Sequence, residues 1–344
     1  MTSYTRFMNR RQSLKTLAAS LAGAGLLGTG ARLSAAEPSA PSPAPDPLPQ
    51  GAGYYRFTVG KRAVYVISDG TIQLGSPHPT IGGSVATAEE VRAALRDHFL
   101  PTESLSTTLN TTLIETGDAR ILVDAGTGGA MGGDNGHVIQ NLKHAGFRPE
   151  DITHVVISHA HPDHLWGVVD GAGRNRFPNA TFVLSGPEAN FWTRTEAEIE
   201  AMREDPDMAG MADMFARTAG ILRNLKDVTQ TVAMDATLKP GVTLVPLPGH
   251  TPGHVGVRIE SDGESILQLS DTANHSALYL ENPDWHFGFD VNPMQAAETR
   301  KEILRKVAAD RARVMAYHWS FPSLGHVKQT GEAVFRYDPE PWSW

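Results

Sequence analysis

The chain has no cysteine. Disulfides and thiolate ligands are therefore excluded, and any metal held here must be held by nitrogen and oxygen. Long apolar runs are missing too. Nothing in the body approaches the roughly 20 apolar residues that a membrane-spanning helix needs, and mean hydropathy is −0.26. Positive charge is scarce. The 344 residues carry a formal charge of −8, and the first 36 hold five basic and no acidic side chains, which leaves the remainder at −13. So acidic a body has no electrostatic case for gripping a phosphodiester backbone, and nucleic acid is not an expected partner. A small anionic substrate stays compatible, because a bound cation sets its own local field. With 40% hydrophobic residues the chain can build a large core. No fixed-period repeat is visible.

The N-terminus reads as a processing segment. Asn9-Arg10-Arg11-Gln12-Ser13-Leu14-Lys15 resembles a twin-arginine export motif, with Ser13 where a bulkier residue is usual. A short Gly/Ala-rich apolar stretch follows from Leu17 to Gly28, and Ser34-Ala35-Ala36 suits cleavage. The expectation is a signal peptide over 1–36, a Pro/Ser/Ala-rich linker over 37–53 and a single catalytic domain over 54–344. Such a protein would be exported to the periplasm, with no membrane anchor in its mature form.

His159-Ala160-His161-Pro162-Asp163-His164 places three imidazoles and a carboxylate in six residues, just after the apolar run Val155-Val156-Ile157. Groups this crowded repel one another when protonated and are costly to desolvate. The arrangement makes physical sense around a cation, and imidazole with carboxylate suits zinc or a similar first-row divalent ion. Downstream, Pro248-Gly249-His250-Thr251-Pro252-Gly253-His254 follows a strand-like run at 242–247. Asp271 follows 266–270, and His318 follows 313–317. Each candidate lies just past a predicted strand. Ligands at strand ends of an open α/β arrangement converge on one edge, where active sites form.

Periodicity supports an α/β fold with many strands. Strands are expected over 54–67 and 71–74, around a turn at Ser68-Asp69-Gly70. Thr87 and Glu90 form a capping box opening a helix. A hairpin is expected across Thr116-Gly117-Asp118, and a helix over 135–145. Residues 187–226 read as a largely helical cap broken near Pro206, with Met202, Met208, Met211 and Met214 as core filler.

The ordered set HxHxDH, PGHTPGH, a late Asp and a late His resembles the metallo-β-lactamase superfamily. Gly53-Tyr54-Tyr55-Arg56-Phe57, Phe191-Trp192 and the tail His318-Trp319-Ser320-Phe321-Pro322-Ser323-Leu324-Gly325-His326 are similar to the methyl parathion hydrolase-like branch. The resemblance runs from about Gly53 onward. It implies a four-layered αβ/βα sandwich. It also implies two divalent metal ions per chain, with His159, His161 and His250 on one, Asp163, His164 and His318 on the other, and Asp271 bridging.

Such a pair generates a hydroxide from water at neutral pH and attacks a carbonyl or phosphoryl centre. Asp163 and Asp271 are the expected catalytic carboxylates, Asp163 to orient water or pass a proton. His254, His326 and Asp124 are candidates to steady ligands from behind. Trp166, Phe191 and Trp192, with Trp285 and Phe287, are candidates for an apolar pocket. The expected activity is dinuclear zinc hydrolysis of a small apolar ester, lactone or organophosphate triester. A β-lactamase, a mononuclear-iron persulfide dioxygenase-like enzyme and a non-catalytic binding protein are the alternatives. A homodimer is implied by the resemblance alone.

Overall fold

The computed structural model describes residues 51–206 and 208–341. The expected signal segment and most of the linker lie outside them.

Two seven-stranded sheets form the centre. The first runs β1 (Tyr54–Val59), β2 (Arg62–Gly75), β4 (Leu105–Glu115), β5 (Arg120–Val123), β6 (His154–Ile157), β7 (Thr181–Ser185) and β8 (Thr229–Val232). The second runs β16 (Phe335–Pro339), β15 (Gly325–Gln329), β14 (Arg313–Met315), β12 (Glu264–Gln268), β11 (Val255–Ser261), β10 (Val242–Pro246) and β9 (Thr237–Lys239). A small ribbon pairs β3 (Ile81–Gly82) with β13 (His286–Phe287).

Side-chain alternation explains the layering. Val155 and Ile157 join the core on the outer face of the first sheet, while Val156 between them joins the core that the two sheets share. Phe182 and Leu184 divide from Val183 in the same way. Strands apolar on both faces must be covered on both, which is why they read as unbroken hydrophobic runs. Helices supply the covers. α2 (Val138–His144), α4 (Gly186–Trp192) and α6 (Ala209–Asn224) lie on the first sheet, through Leu142, Trp192 and Phe215. α7 (Pro293–Ala309) covers the second through Ile303, Leu304 and Val307. The result is the four-layered αβ/βα sandwich. No helix among the described residues is long and apolar enough to cross a membrane.

The capping box at Thr87 and Glu90 opens α1 (Ala88–Asp97) as expected, and β4 and β5 form the hairpin across 116–118. The expected turn at Ser68-Asp69-Gly70 is a correction. β2 runs straight through it with a register shift against β4, and the turn falls at Gly60-Lys61 instead. The irregularity has a use. Asp69 is fully buried and accepts from the backbone N–H groups of Thr127 and Val138, which anchors the loop after β5.

Candidate metal centre

The strand order brings the candidate ligands to one end of the sandwich. β5, β6 and β7 run parallel in the first sheet, and β12 pairs parallel with β14 in the second. Their carboxyl ends therefore open onto one edge. Chain leaving β6 becomes Ser158-His159, and His161 leads into α3 (Pro162–Leu165), whose first turn presents Asp163 and His164. Two non-glycine residues at strand exits are held in the left-handed region, Asp124 at φ +65° and Ser270 at +47°. Such backbone costs on the order of 1–3 kcal/mol and persists only where its surroundings enforce it. Asp124 is fixed by the Ser158 N–H and hydroxyl, both at 2.8 Å. The Ser270 hydroxyl donates to Ser158 Oγ at 2.8 Å, tying the two sheets together here.

Three overlapping groups result: His159, His161 and His250; His159, His164 and Asp271; Asp163, His164 and His318. Asp271 sits between them. Its carboxylate oxygens lie 3.0 Å from His318 Nε2, 3.3 Å from His164 Nε2, 3.5 Å from His250 Nε2 and 3.8 Å from His159 Nε2. His161 Nδ1 is 2.9 Å from His250 Nε2, and Asp163 is 3.4 Å from His318. All seven residues singled out in the sequence thus meet in one place.

The outer ring nitrogens are held from behind. His164 Nδ1 faces Asp124 at 3.0 Å, His250 Nδ1 faces Asp290 at 2.8 Å, and His318 Nδ1 donates to the Thr108 carbonyl at 2.9 Å. Those contacts leave Nε2 of each ring pointing inward. Burial, reinforced by neighbouring imidazoles, holds His159 and His161 well below the usual histidine range. Burial pushes His164 the same way, but Asp271, Asp163 and Asp124 outweigh it and hold that ring well above. Burial alone would raise Asp271; His318 and His164 keep it well below the usual carboxylate range.

A divalent cation fits this donor set. His159 Nε2, His164 Nε2 and Asp271 Oδ1 are buried without a hydrogen-bond partner, although the last two are close. A buried polar atom left unpaired costs about 1–3 kcal/mol. Three such atoms facing one point, among nitrogen and oxygen donors only, are what a pair of such ions would satisfy.

Beside the cluster lies a cleft of about 300 Å³. His161, Asp163, His250, Asp271 and His318 form its floor, and its walls are largely apolar. Phe191, Trp192 and Phe287 line it. Trp192 is 1% exposed, meets His161 edge-on at 5.4 Å and stacks on Phe215. Trp166 is a correction. Its ring turns away under α6, where Nε1 donates to Thr218 Oγ1 and Arg217 covers its face at 4.0 Å, so it packs in the core and not on the cleft. Trp285 lines a separate surface hollow. The methionines are corrected in the opposite sense: Met202, Met208, Met211 and Met214 all reach the cleft, joined by Met131.

Among the supporting residues, Asp124 contacts His164 as above. His254 is pushed to about 3 by burial and by His250, so its ring is neutral. It donates from Nδ1 to the Leu247 carbonyl and accepts the Asp271 N–H at Nε2. His326 is a further correction. It sits on β15, opposite Arg313 and Asp338, in a hollow away from the cleft. Sequence reasoning missed Asp290 behind His250 and Glu188, a fully buried acid beneath both histidine loops. It also missed Tyr317, whose hydroxyl donates to the Asp163 carbonyl at 2.7 Å. None of the three carries a spacing signal.

Known proteins bear on the same residues. A match to an N-acyl homoserine lactonase of Bacillus cereus is 26% identical over 170 residues, 49% of this chain and 58% of that protein, so the chain spans little more than half the length of such relatives. The solved structure of AidC, a dizinc quorum-quenching lactonase in complex with a product, is similar at TM-score 0.77 and 27% identity, over 85% of this chain and 98% of that one. The hydrolase AbOPH, in the beta lactamase superfamily, is similar at TM-score 0.76 and 26% identity over 86% and 99%. Residues 108–318, a stretch that holds all seven candidate ligands, match the metallo-beta-lactamase superfamily, and the chain belongs to that family.

Proposed function

We propose that this protein is a dinuclear zinc hydrolase that opens a lactone, or cleaves a related ester, carrying an apolar chain. The observation that carries the reading is the buried N/O cluster with unpaired inward atoms at the floor of an apolar cleft. The lactonase relatives support the choice of bond. The resemblance of the sequence to the methyl parathion hydrolase-like branch keeps organophosphate triesters on the panel to be tested.

His159, His161 and His250 would hold one ion, Asp163, His164 and His318 the other, and Asp271 both, since only a carboxylate offers two anionic oxygens to share. Two divalent ions there would lower the pKa of a water toward neutrality and polarise the carbonyl or phosphoryl oxygen under attack. The protein supplies the rest. Asp124, Asp290 and the Thr108 carbonyl fix the ring orientations of His164, His250 and His318. Apolar walls of Phe191, Trp192, Phe287 and the methionines bind the chain and exclude bulk water. Asp163, at the floor, is placed to orient the attacking water or to relay its proton toward the leaving oxygen.

The test is purified protein reconstituted with zinc and assayed on N-acyl homoserine lactones of short, medium and long chain, aryl esters, methyl paraoxon and nitrocefin. Turnover is expected on lactones, rising with chain length, with two zinc ions per chain by mass spectrometry. Absence of metal-dependent turnover across the panel would end this reading, and efficient nitrocefin hydrolysis would replace it with a β-lactamase. We also propose twin-arginine export to the periplasm, from Arg10-Arg11 and the apolar stretch behind them. Cell fractionation with and without a twin-arginine translocase checks it; equal periplasmic yield in both rejects it.

A further inference from the structure

Glu188 lies at the start of α4 and is fully buried. Among the described residues no cation pairs with it. Instead its two oxygens take four hydrogen bonds. Oε1 accepts from the Ala160 N–H at 2.9 Å and from Trp192 Nε1 at 2.7 Å. Oε2 accepts from the Thr251 hydroxyl at 2.6 Å and the Gly253 N–H at 3.0 Å. The approach is close enough that a Cβ on Gly253 would meet the Glu188 nitrogen at 2.1 Å. Ser185, which caps α4 through the Glu188 N–H, also donates to the Gly253 carbonyl at 2.7 Å.

The identity of the donors matters. Ala160 separates His159 from His161, Thr251 follows His250 directly, and Gly253 comes three positions after His250. Trp192, the fourth donor, stands edge-on to His161. Every contact therefore bears on the three-histidine group. None of the four donors lies on Asp163, His164 or His318, whose supports are Asp124, Tyr317 and the Thr108 carbonyl.

The geometry points to Glu188 as a positioning residue for one metal position and not the other, joining the two loops that supply its histidines and the Trp192 wall of the cleft. Only a carboxylate can do this, because all four positions demand an acceptor. A glutamine would turn an N–H₂ toward either the Ala160 and Trp192 donors or the Gly253 N–H, setting donor against donor. Glu188 touches no reacting atom; it acts through the loops.

The inference rests on the metal reading above, and its test separates the two. Zn²⁺ is titrated out of the purified full-length protein with a chromophoric chelator, and histidine side-chain NMR signals are followed. Wild-type protein should release two ions. In Glu188→Gln one ion should bind roughly 10- to 100-fold more weakly, the range seen when groups behind a ligand are removed. The other should be unchanged, with shifts at His159, His161 and His250 and none at His164 or His318. Thr251→Val, which removes a single donor, should weaken the same ion by less; should Glu188→Gln fail to fold by circular dichroism, this variant carries the test. Equal weakening of both ions, or of neither, in folded protein overturns the role of Glu188 while leaving the metal centre intact. A wild-type protein that binds no zinc would instead remove the metal reading itself.

Discussion

At and just beneath the floor of the cleft, His159, His164 and Asp271 are almost wholly buried; Ser158 and Asp124 pin the Nδ1 atoms of the two rings, and Asn274 donates to Asp271 Oδ2. Along the wall, Met202, Met208 and Met211 are only half-buried, on or next to α5 (Glu196–Glu204) and α6, and make contacts without direction. The floor rises from strand ends, where backbone is locked into a sheet and a ring can be aimed. The wall comes from helices packed on the outer face, and thioethers adapt to what lies against them. Charge placement needs rigid backbone and hydrogen-bonded support; apolar recognition needs volume and tolerates movement. The two regions should therefore respond to different perturbations.

The largest separation is expected from Asp271→Asn. Shape is retained, but the negative charge facing His318, His164, His250 and His159 is lost. Zinc content should fall below two per chain, and kcat/KM for lactones should drop on the order of a thousandfold, about 4 kcal/mol in the transition state. Chelation of the wild-type protein should reproduce the loss and lower the thermal midpoint, since ions bound only by the folded state stabilise it by about 4 kcal/mol each at a thousandfold excess over Kd. Full activity in the chelated protein would remove the floor's special status. Asp290→Asn is the milder version. Asp290 contacts His250 Nδ1 and lies 3.6 Å from the buried Arg300 guanidinium. Asparagine can still face the ring but with weaker orientation, and a roughly 10- to 100-fold loss in zinc affinity is expected. Unaltered affinity would show that His250 is held by its loop alone.

At the wall, Met202→Ala with Met211→Ala should leave zinc content and folding nearly unchanged, because both side chains are partly exposed and leave little cavity. Preference for long over short acyl chains should fall several-fold, at about 1 kcal/mol or more per lost methylene contact. A loss of zinc in that variant would mean wall and floor are one cooperative unit. Trp192 is a poor probe of this distinction, since it serves both regions: it lines the cleft and donates to Glu188. Its replacement by alanine should shift chain preference and metal content together, and should cost about 3–5 kcal/mol of stability.

The same division explains what could be read from the residues in order. The floor was legible because four of its groups fall within six positions and the others each follow a buried strand, so local spacing carries the geometry. The sandwich layers were half legible: runs such as Val155-Val156-Ile157 show two covered faces, but the pairing of fourteen strands into two sheets does not follow from periodicity. The wall was not legible, because a methionine at helical spacing looks the same whether it fills a core or lines a cleft. Trp166 misled because it stands two residues after His164 in sequence, yet its ring packs into the core against Thr218 and Arg217. Ser68-Asp69-Gly70 has turn composition, and only β4 alongside keeps it within a strand. Glu188 and Asp290 were invisible as single acids, since burial alone distinguishes them from solvated ones.

His326→Ala is the smallest expected effect and the sharpest check on that reading of locality. His326 follows His318 by eight residues, within a tail that resembles a known branch. Yet β15 carries it across the sheet to face Arg313 and Asp338 at the surface. Replacement by alanine should change stability by no more than about 0.5 kcal/mol and leave zinc content and lactone turnover as they are. A fall in zinc content would mean that the β14–β15 connection transmits strain from the sheet edge back to His318. The floor would then be supported from further behind than the hydrogen bonds to Thr108 and Asp271 indicate.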